Sequence, residues 1–157
     1  MNKAVNFRRA TASDLGKLRE LEEICFQEES FSARQLRYLV TRAKADVLLS
    51  EEAGEISSFI ILLKRKISPA MRIYSLAVSP RFRGKGLGRK LIDEAEKRAR
   101  SAGFSFLRLE VSEMNDAAVQ LYLQTGFDVV GERPAYYKNG SKALLMRKAV
   151  SIGVKST

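Results

Sequence analysis

The sequence predicts a mixed α/β fold (α+β mixed sheet), in which one sheet of about seven strands packs with about four helices. Three observations lead there. Apolar residues change along the chain from period-two runs to stripes at i, i+3 and i+4. Helix-start and helix-stop residues fall at the edges of those stripes. The length of 157 residues, 45% hydrophobic and 29% charged, suits a single domain that buries its core without cross-links. That domain is expected over residues 1–150, followed by a short polar C-terminal tail, 151–157.

Each element has a local reason. Val5-Asn6-Phe7 alternates and predicts a first strand. Thr11 with Asp14 three residues on resembles a capping box, and Leu15, Leu18, Leu21, Ile24 and Cys25 follow at helical spacing. Ser32 and Gln35 repeat the cap before Leu36, Leu39 and Val40. Asp46–Ser50 and Glu55–Lys64 predict two strands joined by a turn at Ala53-Gly54. Met71–Ser79 is a strand that Pro80 ends. A helix from about Gly88 to Ala102 carries Leu91, Ile92, Ala95 and Ala99 on one face, with Gly103 as its C-terminal cap. Phe106–Val111 is a strand. Asn115 caps a helix that bears Ala118, Leu121 and Tyr122 and stops at Gly126. Phe127–Val130 and Lys142–Arg147 are the last strands, giving the order β-α-α-β-β-β-α-β-α-β-β.

Composition excludes several chemistries. With no His and only Cys25, neither a Ser-His-Asp nor a Cys-His system is possible, nor is a His-ligated metal, and no metal is expected. Any acid or base must be a carboxylate, Tyr, Lys or Cys. A lone cysteine fits a reducing compartment. No run approaches the length of a membrane span, and the N-terminus lacks a signal-peptide core, so the expected setting is cytoplasmic with no membrane partner. Net charge is +10, and it is uneven: residues 1–63 carry 9 basic and 10 acidic side chains, and residues 64–157 carry 19 and 8. Such a field invites an anionic partner or serves solubility.

The most specific feature is Arg83-Gly84-Lys85-Gly86-Leu87-Gly88-Arg89, between a strand and a helix. Alternating glycines let the backbone turn and leave its amides uncovered, and the following helix start adds its dipole. Arg81, Arg83, Lys85, Arg89 and Lys90 contribute five positive charges with no acid among them. A pyrophosphate is the natural guest, and a flexible basic loop is the duller alternative. The stretch does not fit G-x-x-x-x-G-K-[ST] or G-x-G-x-x-G.

Leu76 to Phe127 resembles the acetyl-CoA motif of the GNAT superfamily of N-acetyltransferases. The R-x-x-G-x-G signature falls on Arg83, Gly86 and Gly88. Leu109-Glu110-Val111, Asn115, Ala118, Leu121-Tyr122 and Gly126-Phe127 fit the pattern that follows it, most sharply in the branch of ribosomal-protein-alanine N-acetyltransferases. The resemblance implies a GNAT-like acyl-CoA N-acyltransferase fold, with acetyl-CoA as co-substrate and an amine acceptor. It implies cofactor contacts at Leu76, Ala77, Val78, Arg83, Gly84, Lys85, Gly86, Leu87, Gly88, Arg89, Asn115 and Tyr122. The strand Tyr74–Val78 matches the family strand that pairs with the pantetheine arm. Two departures stand out: Ser112-Glu113-Met114-Asn115 replaces R-x-S-N, and the first loop, Cys25–Phe31, lacks the branch's Pro-Trp pair.

Acetyl transfer from a thioester to an amine needs a proton acceptor, a donor to the oxyanion and departure of a thiolate. By match to the branch, Glu110 is the candidate base and Tyr122 the candidate acid, with the Val78 amide as oxyanion donor. Glu110 facing solvent, and Tyr122 as core filler, are the alternatives. Asn115 caps its helix, binds the cofactor, or does both. Phe31, Tyr136 and Tyr137 are candidate acceptor contacts, the tyrosines otherwise being strand-edge aromatics, and Glu28 and Glu29 are possible anchors for a cationic acceptor. The expected activity is direct acetylation of a primary amine, foremost a protein or peptide N-terminus, with a small amine or a lysine side chain as alternative. A non-catalytic acyl-CoA sensor is the competing class. Nucleic acid is not an expected partner, because interleaved aromatics and a helix-turn-helix are lacking. A monomer or homodimer is expected.

Overall fold

The structure is a computed structural model that describes residues 4–42, 44–65 and 67–150, with the side chain of Glu28 outside the description. The tail, Lys66 and the Glu28 anchor therefore lie beyond the described residues. The expected order is observed: β1 (Arg8–Arg9), α1 (Leu15–Phe26), α2 (Ala33–Thr41), β2 (Ala45–Glu52), β3 (Glu55–Leu63), β4 (Ala70–Val78), α3 (Leu87–Ser101), β5 (Phe106–Ser112), α4 (Asp116–Gln124), β6 (Asp128–Arg133) and β7 (Ala143–Ala149). One mixed sheet runs β1-β2-β3-β4-β5-β7-β6. The chain forms two compact units, one from residues up to Leu63 plus Ser75–Leu91, the other from Lys64–Tyr74 plus residues from Ile92 on.

In the first unit, β2 and β3 form an antiparallel hairpin. Its turn residues, Ala53 and Gly54, both take positive φ, 52° and 78°, as a two-residue turn that follows strand twist requires. β3 is buried from Ile56 to Leu62, so it reads as an apolar run rather than an alternation. The first strand is shifted from expectation: pairing begins at Arg8↔Leu49 and Arg9↔Leu48, not at Val5–Phe7. Ladder bonds decide a strand, and both arginines are also held by carboxylates, Arg8 by Asp14 at 2.8 Å and Arg9 by Asp46 at 2.6 Å.

Both predicted capping boxes form. Thr11 N donates to Asp14 Oδ2 at 2.7 Å, opening a short 3-10 turn (Ala12–Asp14) ahead of α1. Gln35 N donates to Ser32 Oγ at 3.1 Å, and Ser32 N to Gln35 Oε1 at 2.8 Å. Leu18 and Leu21 of α1 and Leu36 and Leu39 of α2 are buried. Ile24 departs from expectation, at 60% exposure. At about 100° per residue it lies about 120° round the helix from Leu18, whereas Glu22 lies about 40° from Leu18 and is buried.

In the second unit, β5 alternates strictly, with Leu107, Leu109 and Val111 buried and Arg108, Glu110 and Ser112 on the other face. It pairs antiparallel with β7, which pairs antiparallel with β6. The parallel ladder of β4 with β5 runs from Ala70↔Phe106 to Ile73↔Leu109, while β4 continues to Val78 and β5 to Ser112. Ile92, Ala95 and Ala99 of α3 are fully buried. Gly103 (φ 85°) closes that helix, with Phe104 N donating to Ala99 O at 2.9 Å. Gly126 (φ 102°) does the same for α4 through Phe127 N and Tyr122 O at 2.9 Å. Phe127 is thereby spent in the cap, and β6 starts one residue later than expected.

Candidate active site

In the first unit, Pro80 cannot extend the β4 ladder, and the chain turns through Pro80–Phe82 into the glycine loop. Gly84 and Gly86 take φ of 81° and 79°, and a Cβ built on either meets nothing within 4 Å. These glycines answer to backbone conformation and leave the loop's surface open. Leu87 is buried and anchors the start of α3. The first helical bond runs from Lys90 N to Gly86 O at 3.1 Å, so the amides just before Lys90 are first-turn donors.

The basic side chains are less free than their spacing suggests. Arg83 Nε donates to Val78 O at 3.1 Å, folding the guanidinium onto the end of β4. Arg81 pairs with Glu55 at 2.6 Å and Lys85 with Glu52 at 3.4 Å. Both acids flank the Ala53-Gly54 turn, so the loop lacks acids in sequence but meets two in space. Arg89 is exposed and Lys90 half-buried.

Helix α1 packs a polar pair against β4. Cys25 Sγ lies 3.9 Å from Val78 O and 3.9 Å from Arg83 Nη2. Burial pushes its thiol up, the Glu22 charge adds to this, and Arg83 opposes. Glu22, 1% exposed, accepts from Phe31 N at 2.6 Å and from Ser75 Oγ at 3.4 Å. Burial raises its carboxyl above the ordinary range, and the two hydrogen bonds oppose the rise. Phe31, Leu76 and Val78 are half-buried and Ala77 buried.

In the second unit, Glu110 is held by two arginines. Arg72 Nε donates to Oε1 at 2.8 Å and Arg108 Nη1 to Oε2 at 3.2 Å, with the Glu110 side chain 13% exposed. Arg72 and Arg108 are register partners on parallel strands, and Glu110 lies two residues on along the same face. A carboxylate there offsets the repulsion of two facing cations. Solvent is therefore not its only neighbour, and the duller alternative for Glu110 takes the form of a salt-bridge network.

Tyr122 is buried, its ring edge-on to Phe127 with centroids 5.5 Å apart. Burial, and to a smaller degree Tyr137, raises its phenol well above the ordinary range. Asn115 Oδ1 accepts from Ala118 N at 3.2 Å, so the cap forms. Tyr136 and Tyr137 stand edge-to-face at 4.9 Å, Tyr136 being 44% exposed. Both amides donate to Ser141 O, which sets the tyrosines on the turn before β7. The expected site thus falls in two sets: Phe31, Leu76, Ala77, Val78, Arg83 and the residues through Arg89 in the first unit, and Glu110, Asn115, Tyr122, Tyr136 and Tyr137 in the second.

Sequence reasoning missed Glu22, Ser75 and Arg72. The signal for Glu22 was present, since it lies four residues after Leu18 and three before Cys25, on the apolar face. Elsewhere, a groove lined by Leu15, Gly16, Arg19, Glu20, Glu23, Ala33 and Arg37 holds none of the predicted site residues. Among the described residues, no group of His, Cys, Asp and Glu is arranged to hold a metal, and no helix is long and apolar enough to cross a membrane.

Comparison with known proteins bears on the fold and the family. A family model described as the acetyltransferase (GNAT) family matches residues 15–127. Over 77 residues the chain is 39% identical to the N-alpha-acetyltransferase RimI of Mycobacterium tuberculosis, covering 48% of this chain and 47% of that protein. The chain spans less than half the length of the curated relatives that it matches at 39–40% identity. Ard1 from Thermoplasma volcanium superposes with a TM-score of 0.83 at 26% identity, covering 95% of this chain and 99% of that one. The ribosomal-protein-S18-alanine N-acetyltransferase of Escherichia coli shares the fold, with a TM-score of 0.82 at 22% identity over 98% of this chain and 99% of that one.

Proposed function

Because the chain belongs to the GNAT acetyltransferase family, we propose that it moves the acetyl group of acetyl-CoA directly onto a primary amine, the N-terminal α-amine of a protein or peptide. The observation that carries this reading is the loop from Arg83 to Gly88, with left-handed Gly84 and Gly86 at the start of α3. Two relatives support an N-terminal acceptor by their names, one an N-alpha-acetyltransferase and one an alanine N-acetyltransferase of a ribosomal protein.

The residues fit a pyrophosphate-bearing co-substrate. The open glycine surface, the first-turn amides of α3, and Arg83, Lys85 and Arg89 together receive the phosphates, and Leu76, Ala77 and Val78 line the arm with their backbone. Acetyl-CoA, when bound, supplies an acyl group already activated as a thioester. The amide of Val78 donates to the acetyl carbonyl. Asn115 spends Oδ1 on its cap and keeps its amide donors for the arm. Glu110 takes up, directly or through a water, the proton that the amine loses as its bond to the acetyl carbon forms. Tyr122, held protonated by burial, donates to the sulfur as the carbon–sulfur bond breaks. Phe31, Tyr136 and Tyr137 face the acceptor.

A panel of N-terminal peptides, lysine-containing peptides and small amines, read by free-thiol release from acetyl-CoA, tests the reading. Fastest release with N-terminal peptides is expected. Release only with small amines or lysine side chains overturns the acceptor class, and cofactor binding without release from any member points to a sensor.

A further inference from the structure

The loop after α1 is held in a conformation that its own sequence resists. Gln27 ends the helix at φ 48°, ψ −117°, a region that favours glycine and that a side chain enters only under strain. A tight turn follows, Ser30 N donating to Gln27 O at 3.0 Å. The next amide, Phe31 N, reaches back to Glu22 Oε1 at 2.6 Å, while Glu22 Oε2 accepts from Ser75 on β4. One buried carboxylate therefore ties the far end of a strained loop to the helix it left and to the strand that runs on to Val78.

We propose that Glu22 is a positioning residue, which latches Gln27–Phe31 against β4 and thereby fixes the wall that the acceptor amine meets. This rests on the acetyltransferase reading given above. A carboxylate is suited to the task because it accepts from an amide and a hydroxyl at once without a side-chain donor of its own. Burial supports the role: placing an acid on the apolar stripe is costly unless its bonds are needed. The strain at Gln27 supplies an independent reason, since a loop that relaxes when released needs a latch and an unstrained loop does not.

The test compares Glu22→Gln, Glu22→Met and the double variant Glu22→Met with Gln27→Gly. Three quantities are read: the acceptor KM, the acetyl-CoA dissociation constant, and hydrogen exchange at the Phe31 amide. Gln keeps an acceptor toward Phe31, so KM stays near that of the parent. Met fills the site without accepting; KM rises about tenfold, the order expected for losing a hydrogen bond to a charged acceptor. Acetyl-CoA affinity is unchanged and the Phe31 amide exchanges faster. Glycine at position 27 removes the strain, and the double variant regains most of the lost KM, which a general loss of stability would not allow.

An unchanged KM in Glu22→Met, a parallel loss of acetyl-CoA affinity, or no rescue by glycine overturns the proposal. Should Glu22→Met be insoluble, Ser75→Ala removes the second contact and decides the question, a raised KM supporting the latch and an unchanged one overturning it. If the parent protein acetylates no amine, the reading of its activity has failed, and the exchange experiment judges the latch alone: faster exchange at Phe31 in Glu22→Met supports it and unchanged protection overturns it.

Discussion

Arg72 and Arg108 each donate to one oxygen of the Glu110 carboxylate, which leaves a second lone pair on each oxygen for a proton. Glu110→Gln is expected to lower turnover by about a hundredfold, the lower end for a general base. The deficit grows as pH falls below about 8, where an α-amine is increasingly protonated; a pH–rate profile that parallels the parent's would remove Glu110 from the base role. Tyr122→Phe should lower turnover with acetyl-CoA affinity nearly intact, as steady-state kinetics and calorimetry together would reveal. Glu22 gives a stability prediction of opposite sign to most acids. Its folded-state pKa is raised above the ordinary 4.5 by burial, so the stability it contributes is present below that value and lost as pH rises through the folded pKa. Glu22→Gln carries no such loss. Its melting temperature should exceed the parent's at pH 7–8, and the gap should close towards pH 4; a gap independent of pH would contradict the assignment.

Elements were legible where a local signal and a tertiary partner agreed. Ser32 with Gln35, Asn115, Gly103 and Gly126 mark helix ends by bonds made within a few residues, and each of these forms. The start of β1 was not legible, because Val5–Phe7 has the better alternation and the choice of Arg8–Arg9 is made by β2 on the other side of the pairing. The same distinction divides the candidate site. The glycine loop is a short-range feature, as is Arg108 two residues from Glu110, whereas the latch from Glu22 to Phe31 and Ser75 and the Arg72 arm of the clamp on Glu110 join residues brought close only by the fold. At Gly86 the local and tertiary contributions can be separated. A Cβ there meets nothing, but φ is 79°, so Gly86→Ala should cost about 1 kcal/mol through backbone strain alone. Weaker acetyl-CoA binding in Gly86→Ala, largely recovered in Gly86→Asn, is the expected pattern by calorimetry.

Across the whole molecule, the net charge of +10 overstates what a phosphate group meets at the loop. Glu52 and Glu55 compete for Lys85 and Arg81. Replacing both acids with glutamine should tighten acetyl-CoA binding by about two- to fivefold at low salt, the range expected from two exposed pairs, and the gain should fade with added salt. Unchanged affinity at low salt would mean that neither cation reaches the phosphates. The two compact units carry a different consequence, one of chain order. Residues 64–74 interrupt the first unit before β4 ends, and that unit closes only with the segment through Leu91. A growing chain therefore cannot finish its first-begun unit until the glycine loop has left the ribosome, and by then part of the second unit's strand is already made. Cutting the chain once, at any bond, cannot part the two units, because each has a segment of the other between its own two.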